Sequence, residues 1–236
     1  FGGYQRIFAE PKIWIGYRNT ILYTFIGTAL NILVTIPAGY AISRPNLPYR
    51  KFIIWFFIIT LFFGGGLVPY YLLISRMGLI DNFWVLIIPK AVSVWNIFLT
   101  KAYYESNISQ ELIEAAEIDG ASQLRTFIQV IIPLSKPIIA VMVLFYAVGH
   151  WNSYFDAMIF IRSENLYPLQ LVLRDILVVQ DFSTGGIGDA QAIYERMKLA
   201  NQIKYGVIIV SSLPIILFYP FIQKFFKKGF LVGSFK

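Results

Sequence analysis

The chain has no cysteine and one histidine, His150, among its 236 residues. Disulfides and thiolate metal sites are therefore excluded, and a lone imidazole leaves no ligand set for a zinc-type centre. Charge is also scarce: Asp, Glu, Lys and Arg make up 14%, against about 25% in soluble domains. The glycines Gly185, Gly186 and Gly188 are not followed by Gly-Lys-Ser/Thr, and no other stretch supplies a phosphate-binding loop. The chain is thus not expected to bind ATP or any other cofactor itself. An enzyme reading finds no convergent catalytic groups: one histidine, no thiol and no paired carboxylates inside the apolar runs.

Apolar residues are abundant instead. They make up 57% of the chain, above the roughly 45–50% of soluble proteins, and mean hydropathy is +0.64. The composition implies one all-α integral membrane bundle over residues 1–236. The net charge of +7 comes mostly from Lys and Arg flanking apolar runs. It is read as anchoring at lipid headgroups, with no nucleic acid as partner.

A membrane helix needs about 20 mostly apolar residues, and five segments qualify: residues 19–43, 52–74, 83–103, 137–161 and 203–226. The first contains Pro37. The second is interrupted by Gly64, Gly65, Gly66 and Pro69. The third holds Pro89, Lys90 and Asn96, and the fifth Pro214 and Pro220. Such breakers are tolerated where neighbouring helices or water satisfy the freed backbone, which favours a bundle around a pathway. The chain opens on Phe1 without a signal-peptide pattern, and sequence upstream of it is expected.

Short loops orient the bundle. The turn RPNLPYRK, residues 44–51, carries three basic residues and no acid, and Lys224, Lys227, Lys228 and Lys236 mark the tail. The positive-inside rule places both in the cytoplasm. Arg76 is offset by Asp81 in the next turn, which falls outside. The loop at about 104–136 then lies inside and the one at about 162–202 outside. In the latter, Leu169, Val172, Leu173 and Ile176 recur at helical spacing and predict a short surface helix.

The internal loop reads EAAEIDGASQLRTFIQVIIPLSKP, residues 114–137. Ser109 suits an N-cap, and Glu111 suits the positive end of a helix dipole. Leu112, Ala115 and Ala116 share a face, and Gly120 can take the left-handed turn that ends a helix. Ser122 can cap a second helix with Leu124, Phe127, Ile128 and Ile131 as its apolar stripe, and Pro133 is expected to stop it. From the residues alone, an amphipathic loop resting on the membrane is equally open.

This stretch resembles the EAA loop of ABC importer permeases: the glutamate, the paired alanines, Asp119-Gly120-Ala121, Phe127, Pro133 and Pro137 all match. GGGLVPYYLLISRMGLIDNFWVLIIP, VLFYAVGHWNSYFDAMIFI and YPLQLVLRDIL resemble the second permease of carbohydrate (maltose-type) importers, in the branch handling complex oligosaccharides. The resemblance implies a MetI-like helix bundle in the plasma membrane, with one further span before residue 1. It implies a homologous second permease, two ABC ATPases carrying ATP and Mg, and an extracellular solute-binding protein. It also implies that Glu114, Ala115, Ala116, Asp119, Gly120, Phe127 and Pro133 form the ATPase-coupling set. Import of a non-sugar solute, such as an amino acid or a phosphonate, is the alternative.

Polar groups inside spans are functional candidates because they are costly in lipid. Trp151, Asn152, Tyr154 and Asp156, with Asn96, combine aromatic faces and hydrogen-bonding groups suited to a sugar pathway. The competing reading is that they fasten helices together. Lys90 can snorkel to the outer surface, and the triple glycine at residues 64–66 reads equally as a hinge or as close packing.

Overall fold

The computed structural model describes residues 11–183 and, beyond them, residues 206, 209, 212, 213 and 216, all of these five helical. The rest of the expected fifth span, the glycines at 185–188 and the C-terminal tail lie outside the described residues.

Among the described residues every regular element is helical. Helix α1 runs Pro11–Ser43, about 50 Å at 1.5 Å per residue, and starts eight residues before the expected span. It is the one described helix long and apolar enough to cross a membrane unaided; three bent pairs raise the number to four if each pair is one span.

Two of those pairs fall within expected spans, which are therefore not continuous, and the third joins the cytoplasmic loop to the fourth span. Residues 52–74 form α2 (Arg50–Phe62) and α3 (Leu67–Arg76), bent by 115° at the glycine run. Gly66 adopts φ +80° there, a conformation that disfavours a side chain. Pro69 does not break a helix, because it lies in the first turn of α3 where no backbone donor is needed. Residues 83–103 begin as two 3-10 turns, Phe83–Leu86 and Ile88–Lys90, before α4 (Val94–Asn107) starts afresh. Ser93 Oγ caps α4 by accepting from the Asn96 amide at 3.4 Å. Residues 137–161 form α7 (Lys136–Trp151) and α8 (Phe155–Phe160), separated by Asn152, Ser153 and Tyr154. The cytoplasmic loop supplies α5 (Gln110–Ile118) and α6 (Gln123–Leu134). The predicted outer helix is α9, Leu169–Ser183.

The chain forms two compact units. One comprises, among the described residues, 11–27, 71–88, 147–183 and the five beyond them. Its core joins Ile13, Trp151, Leu169, Val172 and Leu173, with Tyr17 and Ile176 packed alongside. Irregular backbone in this unit is satisfied by α1. Asn19 Nδ2 donates to the Asn165 and Tyr167 carbonyls at 2.7 and 3.0 Å, and Tyr23 donates to the Leu166 carbonyl at 2.9 Å. Thr20 Oγ1 accepts from the Leu169 amide at 2.8 Å.

The other unit comprises residues 28–70 and 89–146 of the described chain. Its core is built on Ile36, Tyr40, Tyr104, Ile113, Ile131 and Met142. Asn31 bridges the carbonyls of Lys90 and Ala91 at 2.5 and 2.9 Å, where Pro89 interrupts the helix. These bonds are what allow broken helices within an apolar bundle.

Candidate functional site: the helix-turn-helix loop and the break after Trp151

Residues 108–135 fold into α5 and α6 joined by a four-residue turn. Helix α4 runs to Asn107, so the loop proper begins at Ile108, four residues later than expected. Ser109 Oγ accepts from the Leu112 amide at 3.4 Å, and Ser122 Oγ from the Arg125 amide at 3.3 Å. Both predicted N-caps are therefore present. At the far end of α5 the Ala121 amide reaches the Ala116 carbonyl and the Gly120 amide reaches the Glu117 carbonyl, each at 3.0 Å. This is the Schellman pair of helix-terminating bonds, with Asp119 as C-cap and Gly120 at φ +77°. Gln123 Nε2 donates to Glu117 Oε1 at 2.9 Å and braces the two helices across the turn.

Pro133 does not stop α6, contrary to the expectation. The helix widens to a π turn over Phe127–Ile131 and continues to Leu134. The Ile132 amide reaches back five residues to the Phe127 carbonyl, and this shift in hydrogen-bond register lets the donor-less proline follow within the helical run. The stop comes at Ser135, where the chain bends by 78° into α7.

The loop's apolar residues divide between two faces. Ile113 and Ile131 are buried in the core of their unit, and Phe127 packs on Tyr40 with ring centroids 5.1 Å apart. Leu112 and Ala115 are exposed, together with Ile118 (87%), Leu124 (68%) and Ile128 (54%). The expected single stripe of Leu124, Phe127, Ile128 and Ile131 is therefore two half-stripes. Ile113, the anchor of α5, escaped the sequence reading because its neighbours Leu112 and Ala115 competed for the same amphipathic phase. Glu114 and Asp119 project into solvent. Ala116 is half-buried.

The basic turn at 44–51 packs nearby in the same unit. Arg44 donates to Gln110 Oε1 at 3.4 Å and lies 4.9 Å from the Tyr40 ring centre. Arg50 meets Glu105 at 2.6 Å, and Lys101 meets the other oxygen of the same carboxylate at 2.6 Å. A cleft of about 300 Å³ lies between this turn and the loop helices, lined by Tyr40, Arg44, Asn46, Gln110, Ile113 and Glu117.

The pathway candidates behave differently. Trp151 is 7% exposed and belongs to the core with Ile13 and Leu169; its ring also tilts against Tyr17 at 6.3 Å. It packs rather than presenting a face. Asn152 and Tyr154 are exposed and Asp156 is half-buried, all three at the break between α7 and α8. Asn152 Nδ2 donates to the Val148 carbonyl at 2.9 Å, and Gln170 reaches Asn152 Oδ1 at 3.5 Å. Asn96 is buried in the first turn of α4, in the other unit. His150, one residue before Trp151, sits so close to Gly27 that a Cβ there would lie 2.4 Å from Nε2. Among the described residues no group of three His, Asp or Glu is arranged for a metal.

One electrostatic feature was missed altogether. Asp81, at φ +55°, accepts from the Arg162 and Ser163 amides at 2.9 and 2.8 Å and from the Ser163 hydroxyl at 2.6 Å. These bonds hold its carboxyl below the usual carboxylate range, the Ser163 hydroxyl contributing most. The sequence offered only a lone aspartate in a turn.

Comparison with known proteins fits this geometry. The family of binding-protein-dependent transport system inner membrane components matches residues 13–232. Protein LplC of Bacillus subtilis (strain 168) is 36% identical, the match covering 99% of this chain and 78% of that protein. The polygalacturonan/rhamnogalacturonan transport system permease protein YtcP of the same strain is 37% identical over 99% of this chain and 80% of that protein. A crystal structure of a bacterial ABC transporter involved in the import of the acidic polysaccharide alginate contains a chain that superposes with a TM-score of 0.83. It is 32% identical, the match covering 95% of this chain and 79% of that one. The helical bundle, the capped loop and nearly full-length similarity together make this chain a member of the binding-protein-dependent transport system inner membrane component family, a permease of the cell membrane.

Proposed function

We propose that this chain is the transmembrane permease of an ATP-driven importer that carries a polysaccharide-derived oligosaccharide into the cell. It pairs with a homologous permease, two ABC ATPases that bind ATP and Mg, and an extracellular solute-binding protein. The similarity to permeases named for polygalacturonan and alginate import supports the sugar assignment. It makes uronate-bearing oligosaccharides the first substrates to test.

The observation that carries the coupling role is the outward half-stripe. Leu112, Ala115, Ile118, Leu124 and Ile128 stand exposed on a rigidly capped helix pair whose other half, Ile113, Phe127 and Ile131, is rooted in the bundle. An exposed apolar surface on a polar loop is a protein-docking feature. Glu114 flanks it, and its carboxylate makes no hydrogen bond or ion pair among the described residues, so it is available to a cation on the ATPase. Gly120 sets the angle between the helices, and Asp119 and Pro133 bound the docking segment. Asn152, Tyr154 and Asp156 line the solute route at the α7–α8 break. Trp151 supports it from the core of the same unit. The loop, the 44–51 turn and the C-terminus lie in the cytoplasm, and residues 162–202 outside.

Reconstituted complexes loaded with the cognate binding protein test the reading. Gly120→Val should insert and assemble yet lose stimulated ATP turnover and uptake, with Glu114→Ala milder. Full uptake by Gly120→Val would remove the loop from the coupling path. Uptake of amino acids or phosphonates, with sugars excluded, would overturn the substrate class. A cysteine at Glu164 should label from outside on intact cells and one at Asn46 should not; the reverse would invert the orientation.

A further inference from the structure

We propose that Tyr103, Tyr104 and Ser135 form a latch that ties the two feet of the cytoplasmic loop together, making them positioning residues for transport. The proposal rests on the loop being the docking element.

The loop leaves the bundle at the end of α4 and re-enters it at the bend between α6 and α7. That bend lacks two backbone donors. Pro133 and Pro137 flank it and supply no donors. Outside the helices' own ladders, bonds run from the Ser135 amide to the Ile131 and Ile132 carbonyls, at 2.9 and 3.1 Å, and from the Ile139 amide to the Ser135 carbonyl at 2.9 Å. A 78° corner so held would flex under load unless side chains stiffen it.

Two adjacent tyrosines of α4 do so. Tyr103 donates to the Leu134 carbonyl at 3.0 Å. The Tyr104 hydroxyl lies 3.0 Å from Ser135 Oγ, which also bonds the Ile131 carbonyl at 2.5 Å. Tyr104 and Ser135 are both fully buried. Tyr104 is in turn wedged edge-on against Tyr40 of α1, centroids 5.7 Å apart. The last turn of α4 thereby grips the two consecutive residues at the corner, Leu134 and Ser135. With the feet pinned, a displacement applied at the Gly120 tip moves α6 and the start of α7 as one lever. With the latch open, the corner bends and the displacement is absorbed there.

The test is the number of solute molecules transported per ATP hydrolysed by the purified complex in vesicles. Tyr104→Phe and Ser135→Ala should assemble and hydrolyse ATP at near the parental rate while transport per ATP falls about five-fold or more, within the usual 5–150-fold range of coupling effects. The double variant should be no worse than either single one, since both remove the same contact. Tyr103→Phe should show a smaller fall. Thr100→Val is the control: it removes an equally buried hydroxyl of α4 that bonds only its own helix, to the Asn96 carbonyl at 2.8 Å, and should leave the ratio unchanged. An unchanged ratio in Tyr104→Phe and Ser135→Ala overturns the latch, as does an equal fall in Thr100→Val. If the Tyr104 variant fails to assemble, the half-buried Tyr103→Phe decides. Gly120→Val separates the two ideas. Its failure to transport beside a normal Tyr104→Phe leaves the loop in place and rejects the latch, whereas normal transport by Gly120→Val rejects the loop itself.

Discussion

The loop at residues 108–135 and the segment at residues 160–169 are both irregular connections, yet they are held in opposite ways. The tip of the first, from Ser109 to Arg125, is shaped by bonds between near neighbours in sequence: two serine caps, a glycine-terminated helix and the Glu117–Gln123 brace, with remote ties to Arg44, Tyr103 and Tyr104 only at its feet. The second is fixed by groups from far along the chain. Asn19, Thr20 and Tyr23 meet its backbone across more than 140 residues, and Asp81 does so across about 80. A loop held by local bonds can keep its shape while moving as a body. A segment held by remote bonds is immobilised on its scaffold. The first suits a part that transmits motion, the second a part that must stay aligned.

Substitutions can break this contrast, and the largest effect belongs to the remote ties. Asn19→Leu leaves the Asn165 and Tyr167 carbonyls without their partner, each loss worth about 1–3 kcal/mol. Amide exchange should rise across residues 162–169, and the unfolding midpoint in detergent should fall, with the 108–135 loop untouched. Next comes Gly120→Val. A Cβ at Gly120 meets nothing within 4 Å, so the whole effect arises from the positive φ, about 1–2 kcal/mol. Gly120→Asn should therefore recover most of the protection of the Ala121 amide, because asparagine tolerates the left-handed turn; equal damage from Asn and Val would refute the conformational explanation. Ser122→Ala should cost about 1 kcal/mol of local stability, seen as exchange of the first amides of α6 alone. Spread of that exchange into α7 would show that the loop is not an autonomous body.

The smallest effect is a pH dependence. The Asp81 carboxyl titrates lower in the folded protein than in the unfolded chain, so its stabilisation is complete above the ordinary carboxylate value. It is lost as pH falls through the lowered one. Protection of the Arg162 and Ser163 amides should persist at mildly acidic pH and fail only in strong acid, while Asp81→Asn should weaken it at every pH.

The same contrast explains what the sequence disclosed. Ser109, Gly120 and Ser122 were legible because capping and helix termination are local chemistry. The surface helix at Leu169 was legible because its period is local as well. The breaks after Phe62 and at Pro89 were seen only as breaker residues inside apolar runs, and the one after Trp151 was not seen. Hydropathy sums over a window and is blind to direction, so a bend and a straight span score alike. Pro133 misled for a related reason: a proline ends an α-helix, but a π turn just before it shifts the register of donors. Ile113, the Asp81 clasp and the Tyr104–Ser135 contact depend on partners far along the chain, and no spacing rule encodes them. Trp151 looked like a sugar-stacking surface by residue type, whereas its neighbours Ile13 and Leu169 claim its ring.

A π turn is what an α-helix becomes when one residue is inserted without lengthening the flanking turns. Helix α6 carries such an insertion between its outward residue Leu124 and its inward residue Ile131. Five residues at the π pitch turn the chain about as far as four at the α pitch, so removing one residue from 127–131 would restore α geometry and leave Leu124 and Ser135 on nearly their present bearings. What would be lost is the wide turn itself, and with it the bonding register that seats Pro133, whose ring would then press on the carbonyl one α turn before it. The extra residue therefore acts as a local relief for the proline: the segment tolerates a single-codon deletion in its phase but not in its fit to Pro133.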